Sequence, residues 1–588
     1  MRIHPENSIK TRGYGVLQGR LFSLITPSVV NRTTAPWVTR REVARLPRWA
    51  LWLFCLTWLL PGLLVRDPWR HVDVTSFAVM SAMAAGHISW WHPTVGGLPV
   101  DVGLLPHWLG AVAITLLGDV TGPLLAVRLA FGGLLGLTMA AVWYGTFHLA
   151  RTEAAQPAAM PFGGEAAPVD YARALADGAL LALLATLGLL QLGHEVSEEL
   201  AQLAAISAFI WAAAAAPWRG LRARCVVLVS LPALAASGAP WLALSVGVVG
   251  AVICAKSSYE GARRLVPWVF GSLAAVLVIT TALTAWHWTY ALKSSWVEWG
   301  LILREWIWFT WPAWPLALWT VWRWRAHWSS RHVALPQGVA LCALISSVLL
   351  GGDDRTLMLT VPGLAILAAF ALPTFKRQAS AAIDWFSIFF FSASALFVWF
   401  MYAAMQTGWP AKPAANVVKL APGFEPSFSP LALALALVGT AAWLGLVRWR
   451  TARRVHPLWK SLVLPAGGVV LCWLLLMALW LPLLDYARSY RSVVDKLKPY
   501  LGDASSSCVA VSGAGTSLVA SLEVFAPRRY HASSADANTA DCEALVQVLK
   551  KPKASLPDTL PGGWVLRARV TRPTDRDEQI GVYRKALP

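Results

Sequence analysis

The chain has 588 residues, of which 57% are hydrophobic and only 14% charged, against roughly 25% charged in an ordinary soluble domain. With a mean hydropathy of +0.53, this excludes a disordered chain, a coiled coil and a water-soluble enzyme, and leaves an integral membrane protein. The formal charge of +19 would suggest a nucleic-acid partner in a soluble protein, so the placement of the charges decides what it means.

Residues 1–46 are polar and basic with no apolar signal core, and read as a cytoplasmic extension whose first 35 residues are poorly structured. Thirteen apolar runs of about spanning length follow, near 47–65, 123–149, 174–192, 200–216, 225–237, 240–255, 265–286, 303–322, 333–350, 357–374, 385–404, 430–447 and 461–483. The stretch 102–118 is also apolar and is read as a helix lying at the membrane surface. With the N-terminus inside, the segments on its side carry 27 Lys and Arg and the opposite loops 7. Basic residues concentrate in cytoplasmic loops, so this asymmetry predicts thirteen crossings, a cytoplasmic N-terminus and an outer C-terminus. The basic excess is then topogenic, and nucleic acid is not an expected partner. The 34 tryptophans suit the same reading, because the amphipathic indole favours the membrane interface.

Residues 47–484 form the expected transmembrane domain. Transporters tend to keep ionisable groups at mid-bilayer. Here the acidic residues gather in the outer loops 66–122, 193–199, 287–306 and 351–356, which suits an enzyme whose lipid substrate enters from the membrane. After Asp485 the composition changes, and 485–588 reads as a small outer α/β domain. Its expected elements are a strand at Cys508–Val511, a helix at Ser517–Phe525, a second helix at Cys542–Leu549, and strands at Trp564–Val570 and Gln579–Tyr583. Five of the seven cysteines lie in or at the ends of apolar spans. Cys508 and Cys542 share the outer domain, where thiols oxidise, and are expected to pair, the alternative being two separate thiols.

The first outer loop carries the most chemistry. It reads Arg66-Asp67-Pro68-Trp69-Arg70-His71-Val72-Asp73, then a helix-compatible stretch to Ala85, then a segment rich in Trp, Pro and Gly, then Asp101. Asp73 and Asp101 beside two surface helices would suit one site, where a carboxylate takes a proton from an acceptor hydroxyl or holds a divalent cation against a phosphate. Equally, Asp73 caps a helix and Asp101 solvates a turn. In 193–199, His194 and Glu198 are spaced to share a cation; the alternative is Ser197 as helix cap with Glu198 and Glu199 in the first turn. Trp308, Trp311, Trp314, Trp319 and Trp322 fall on one expected helix bent at Pro312 and Pro315, where packing and interface anchoring are favoured over sugar stacking.

The runs RDPWRHVDVTSFAVM (66–80), LPVDVGLLPHWLGA (98–111), Val127-Arg128-Leu129 and DDRTLMLTVPGLAILA (353–368) resemble motifs of the polyprenyl-phosphate-sugar-dependent glycosyltransferases of the GT-C fold. That superfamily includes the protein mannosyltransferases and the lipid A aminoarabinose transferase. The resemblance implies a polytopic α-helical protein of GT-C type, with about 13 transmembrane helices and a small C-terminal periplasmic α/β domain. It implies a bacterial inner-membrane enzyme with its active site in the periplasmic loop 66–122, taking a sugar from an undecaprenyl-phosphate-linked donor to lipid A, another glycan or a protein.

By the same resemblance Asp73 falls on the catalytic acidic motif, with Val72-Asp73 in place of the usual Asp-Glu, and Asp101 on the second acidic residue. The Lys-Pro expected after it is Val102-Gly103, which removes a phosphate-binding cation. Glu195 matches an acidic residue at the head of the fourth span, and His287 a histidine that shares a divalent metal with Asp101. Arg355 reads as a clamp on the donor phosphate, or as a local ion pair with Asp353. Arg66, Arg70, Lys293 and Arg304 are weaker candidates for that role, or meet lipid headgroups. Two other functions stay open on the sequence: a lipid-linked saccharide flippase, and a non-catalytic assembly factor that keeps the fold.

Overall fold

The computed structural model describes residues 36–283, 293, 295–375, 377–452, 457–502, 508–533, 542–550 and 556–585. His287 and the first 35 residues lie outside these. The bundle is built from α1 (Arg48–Leu63), α2 (Val72–Ala84), α3 (Leu104–Thr121), α4 (Pro123–Ala150), α5 (Pro168–Ala185), α6 (Glu198–Ala215), α7 (Gly220–Ala236), α8 (Pro240–Ala255), α9 (Val266–Ala282), α10 (Trp296–Phe309) and α11 (Ala313–Arg323). It continues with α12 (Arg331–Leu349), α13 (Val361–Ala371), α14 (Arg377–Thr407), α15 (Ala411–Leu420), α16 (Pro430–Ala452) and α17 (Lys460–Leu479). A spanning chain with no water partners must satisfy its backbone within each segment, so long apolar runs with charges only at their ends become helices.

Within the described residues, each predicted span falls largely on helix. Among the described residues nine helical segments are long and apolar enough to cross a membrane. Eight coincide with predicted spans and the ninth is α3; the remaining predicted spans, at α1, α5, α7, α8 and α10–α11, are shorter or more polar helices. The ends of α3 show how it runs. At its start Gly103 packs against the backbone of Ser237, after α7, and against Glu198, the first residue of α6. At its end the chain turns through Gly122 at φ +83° into α4, a backbone conformation that suits glycine. Arg128 of α4 in turn lies 3.4 Å from the carbonyl of Leu63, the last residue of α1. Both ends of α3 therefore lie at the same end of the bundle.

The tryptophan-rich helix is corrected. It is two helices, α10 and α11, separated at Trp311-Pro312, because proline has no N–H to donate and disfavours helical backbone in the residue before it. The core is tight where small residues face each other: α4 and α6 lie so close that a Cβ on Gly145 would sit 3.6 Å from the Cα of Trp211. Helices α13 and α17 are largely buried, whereas α16 is mostly exposed.

Beyond α17 come α18 (Leu481–Arg488), α19 (Arg491–Leu497) and a six-stranded sheet. The loop between α2 and α3 carries its own two-residue strands, β1 (Thr94–Val95) and β2 (Leu98–Pro99). The sheet strands are β3 (Val509–Ser512), β4 (Tyr530–Ser533), β5 (Ala544–Lys550), β6 (Thr559–Leu560), β7 (Trp564–Arg572) and β8 (Asp575–Lys585), in the order β4-β3-β5-β8-β7-β6. β3 runs parallel to β4 and β5 and the other pairs are antiparallel. The expected helix at Cys542–Leu549 is corrected to strand β5, which pairs with β3 on one side and β8 on the other. A short apolar run gives no periodicity to separate a buried strand from a helix, and here pairing on both edges decides. Cys508 and Cys542 are disulfide-bonded, with Cα atoms 4.8 Å apart. One helix of this domain, α20 (Thr516–Phe525), packs on α2. Glu523 accepts the Gly96 N–H at 2.8 Å and Ala532 donates to the Gly96 carbonyl at 2.8 Å, so the domain sits directly on the first loop.

Candidate functional site

The chain leaves α1 and enters α2 through two non-glycine residues at positive φ, Val65 (+67°) and His71 (+71°), an uncommon conformation for a β-branched residue. The residues between them are held by a buried ion pair. Arg66 Nη2 lies 3.0 Å from Asp73 Oδ2 and donates to the His194 carbonyl at 2.8 Å. Asp73 Oδ2 also accepts the Trp69 N–H at 2.9 Å, and Oδ1 accepts the Val196 N–H at 2.9 Å. Both side chains are 1% exposed. A buried pair of this kind persists because hydrogen bonds satisfy its remaining lone pairs and protons. Asp73 and Arg66 are thus enclosed and engaged with each other in this structure.

Trp69 ties this loop to the start of the outer domain. Its indole N–H donates to Asp485 Oδ1 at 2.8 Å, and the ring lies 4.5 Å from the Arg66 guanidinium carbon and 4.9 Å from that of Arg488. Burial pushes the Asp485 carboxyl up to about 6, against the opposing pull of the indole hydrogen bond. Asp67 is held by Arg491 through two 2.8 Å bonds, and Arg70 N–H donates to the Arg488 carbonyl at 2.9 Å.

Glu195 and Arg355 meet in a basin of charged groups at the head of α2. Arg355 Nη2 lies 2.5 Å from Glu195 Oε2, and Nη1 lies 3.9 Å from Glu199. Glu195 Oε1 accepts from Gln191 Nε2 at 2.7 Å, and Gln191 Oε1 accepts from Arg488. Asp353 instead caps the short helix Asp354–Met358, accepting the Thr356 N–H at 2.9 Å, so the local pair between Arg355 and Asp353 is not formed. His71, exposed at the head of α2, has its pKa lowered from 6.5, first by burial and then by Arg70, Arg572 and Arg355, with Glu195 opposing. These groups therefore gather about one imidazole. Arg572, at the end of β7, is 2% exposed and donates to the Ala487 carbonyl at 3.0 Å. Arg70, Arg355, Arg488 and Arg572 come from the first loop, the 354–358 helix, α18 and the outer sheet.

The other sequence candidates divide. Asp101 is exposed and close enough to Glu198 for their charges to interact. Asp73 and Asp101 thus both meet the 194–199 turn, one through Val196 and the other beside Glu198, without forming a direct carboxylate pair. The cation reading of His194 with Glu198 is corrected, because the two imidazole nitrogens lie 2.6 and 3.0 Å from the carbonyls of Leu190 and Trp58, between the rings of Trp58 and Trp473. Ser197 caps α6, accepting the Leu200 N–H at 3.4 Å. Lys293 and Arg304 are exposed. Among the described residues no three His, Cys, Asp or Glu side chains are gathered as a cation site, and His287 lies outside them. The sequence reading passed over Asp67, His71, Gln191, Arg488, Arg491 and Arg572. Asp67 and His71 stand inside the quoted motif, but nothing local marks three arginines more than 400 residues downstream.

A helical membrane bundle, with surface helices and a small sheet domain over a charged basin at one end, defines an ArnT-like fold. The crystal structure of ArnT from Cupriavidus metallidurans bound to undecaprenyl phosphate superposes with a TM-score of 0.60 at 14% identity, covering 91% of this chain and 98% of that one. The apo state of the same protein gives 0.57 at the same identity and coverage. At that identity the likeness shows the fold, and it agrees with the resemblance read from the motifs. No family model matches the chain, and no curated protein matches it.

Proposed function

We propose that the chain is a membrane glycosyltransferase that takes a sugar from an undecaprenyl-phosphate carrier at the periplasmic face of a bacterial inner membrane and passes it to lipid A, another glycan or a protein. One observation carries this reading: Arg70, Arg355 and Arg572 lie close enough to His71 to act on its charge, with Arg488 beside Trp69 and Arg70, in a fold shared with a structure bound to undecaprenyl phosphate. Fold alone does not assign function; the group of cations beside His71 is what supports this reading. As the bond from the sugar to the carrier oxygen breaks, negative charge collects on the lipid phosphate, and preorganised guanidiniums stabilise it. Arg70, which is exposed, and Arg355 contact the phosphate. Glu195 and Gln191 orient Arg355 and Arg488, and the Arg66–Asp73 pair holds the loop that presents Arg70.

His71 takes the proton of a hydroxyl or amine acceptor; burial, and after it the guanidiniums around it, lower its pKa from 6.5 and so favour the neutral imidazole. Where the acceptor is itself a phosphate, no proton need move. Asp101 keeps the second acidic position, and a divalent cation there would draw on His287 as well. There is no room for a proline in place of Gly103: a Cβ there would lie 2.5 Å from the Ser237 backbone and 2.9 Å from Glu198. The test is a structure with bound polyprenyl phosphate. The reading expects the phosphate oxygens within hydrogen-bond distance of Arg70 and Arg355; a phosphate held elsewhere overturns it.

A further inference from the structure

The outer sheet carries a carboxylate where its own pattern calls for an apolar residue. Side chains alternate across a strand, so Glu578 of β8 shares a face with Ile580 and Val582, both fully buried in one core with Tyr490 and with Val494 of α19. Glu578 is 3% exposed. A buried carboxylate is costly unless it is paired and hydrogen-bonded, and this one is met from three parts of the domain. The Tyr490 hydroxyl lies 3.3 and 3.2 Å from its two oxygens and donates to them. Arg572 Nη1, at the end of β7, lies 3.8 Å away, and Lys550 Nζ, at the end of β5, 3.7 Å away. An apolar side chain in place of a buried ion pair is often at least as stabilising, so the position points to what Glu578 holds.

It holds Arg572. The guanidinium carbon of this buried residue lies 4.8 Å from the Tyr490 ring, and Nη2 donates to the Ala487 carbonyl at 3.0 Å. Thr574, in the turn after β7, donates to the same carbonyl at 3.2 Å. Ala487 and Arg488 close α18, where the last carbonyls of a helix favour a cation. The Arg488 carbonyl takes the Arg70 N–H at 2.9 Å. One helix end therefore seats both the first loop and the β7–β8 turn, and Arg70 comes close enough to Arg572 and Tyr490 for its charge to act on both.

We propose that Glu578 is a positioning residue of the basin: with Tyr490 it fixes the Arg572 guanidinium at the end of α18, so that the outer sheet sets the charge beside His71. Its consequence for transfer rests on the catalytic reading, because His71 takes a proton only while neutral. The charged groups that act on His71 are Arg70, Arg572, Arg355 and Glu195, and of these Arg572 alone comes from the outer domain. Arg572 is met in turn by Glu578 and, across the turn, by Asp575, with Arg70 opposing. Moving the Arg572 charge away removes a repulsion from the imidazolium and raises the His71 pKa toward 6.5. Deleting the Glu578 charge with Arg572 still in place acts in the opposite direction, so the sign separates the two.

The full chain, labelled with carbon-13 at histidine, is titrated by NMR in detergent without substrate, and the His71 resonance is identified by its loss in His71→Gln. In Glu578→Gln the His71 titration should move up toward 6.5, because the released guanidinium no longer repels the imidazolium. Arg572→Met should give the same rise, and Glu578→Gln should add nothing to it. Should Glu578→Gln misfold, Tyr490→Phe keeps the ring and removes the hydroxyl, and should move the titration in the same direction. In sugar transfer, Glu578→Gln should match wild type well above the His71 pKa and fall several-fold near pH 6, a loss that raising the pH restores. A His71 titration that is unchanged or lowered in Glu578→Gln would overturn the proposal, leaving Glu578 a structural carboxylate. A raised titration beside a wild type that transfers no sugar from any donor would uphold the seating of Arg572 and overturn the catalytic reading instead.

Discussion

Arg355 and Glu195, 160 residues apart in sequence, meet at 2.5 Å at the rim of the basin. Through Gln191, which bridges Glu195 to Arg488, the pair links the membrane bundle to the helix that leads into the outer domain. Two guanidiniums are thus aimed by one buried carboxylate and one amide. Arg355→Met should lower sugar transfer by about 10²–10³, the range typical of losing one transition-state donor. Arg355→Lys should recover little, because a lysine ammonium lacks the planar fork that binds two phosphate oxygens. Measuring kcat and KM for the lipid-linked donor decides this; near-normal transfer in Arg355→Met would exclude it from the site.

Asp73→Asn should act on stability first. Removing one partner of a buried pair leaves the other charge uncompensated and costs about 3–5 kcal/mol. Arg66→Met together with Asp73→Asn should be less damaging than Asp73→Asn alone. Thermal unfolding of the three variants in detergent measures this. A single variant with the wild-type midpoint and a collapsed rate would restore Asp73 as a group that meets substrate.

The pH profile tests His71. Its pKa is lowered because burial and the surrounding guanidiniums disfavour the imidazolium. The base therefore stays available as the pH falls through 6.5, and transfer to a hydroxyl acceptor should decline only below that value. His71→Gln should flatten this acid limb. An acid limb centred at or above pH 6.5 in wild type, or one that persists in His71→Gln, contradicts the assignment.

The disulfide of the outer domain should resist alkylation unless the protein is reduced. It closes a loop with a sequence separation of 34, for which chain entropy gives about 3–4 kcal/mol. Because α20 of this domain packs on α2, Cys508→Ser with Cys542→Ser should speed hydrogen exchange at Gly96 as well as in the sheet. Unchanged exchange at Gly96 would mean that the domain does not brace the first loop.

Topology is open to a direct check. Reporter fusions after Arg325 and after Lys585 should lie on opposite sides of the membrane, with the second outside. The same side at both would overturn the proposed orientation.

The spans were legible because a long apolar run has one stable form in hydrocarbon. Where two forms compete, the sequence was ambiguous. Cys542–Leu549 carries no helical period strong enough to outweigh strand pairing, which only β3 and β8 supply. Pro312 was read as a bend, whereas it separates two helices. In the site, Arg355 was visible from its motif, but its partner Glu195 and its indirect neighbour Arg488 come together only through the packing of distant segments. Asp73 drew attention as an acidic residue in a polar loop. Its enclosure depends on Arg66 and on the Val196 N–H, contacts that no local pattern encodes.

The account rests most directly on whether this basin releases polyprenyl phosphate. Purified wild-type protein is given a radiolabelled undecaprenyl-phosphate-linked sugar with an extract of lipid A and other glycans, beside Arg70→Met and Arg355→Met. The account predicts release of the carrier phosphate by wild type, with label passing to an acceptor, and a loss of about 10²–10³ in either variant. No release by wild type with any of several donor sugars, or equal release by all three proteins, would contradict it.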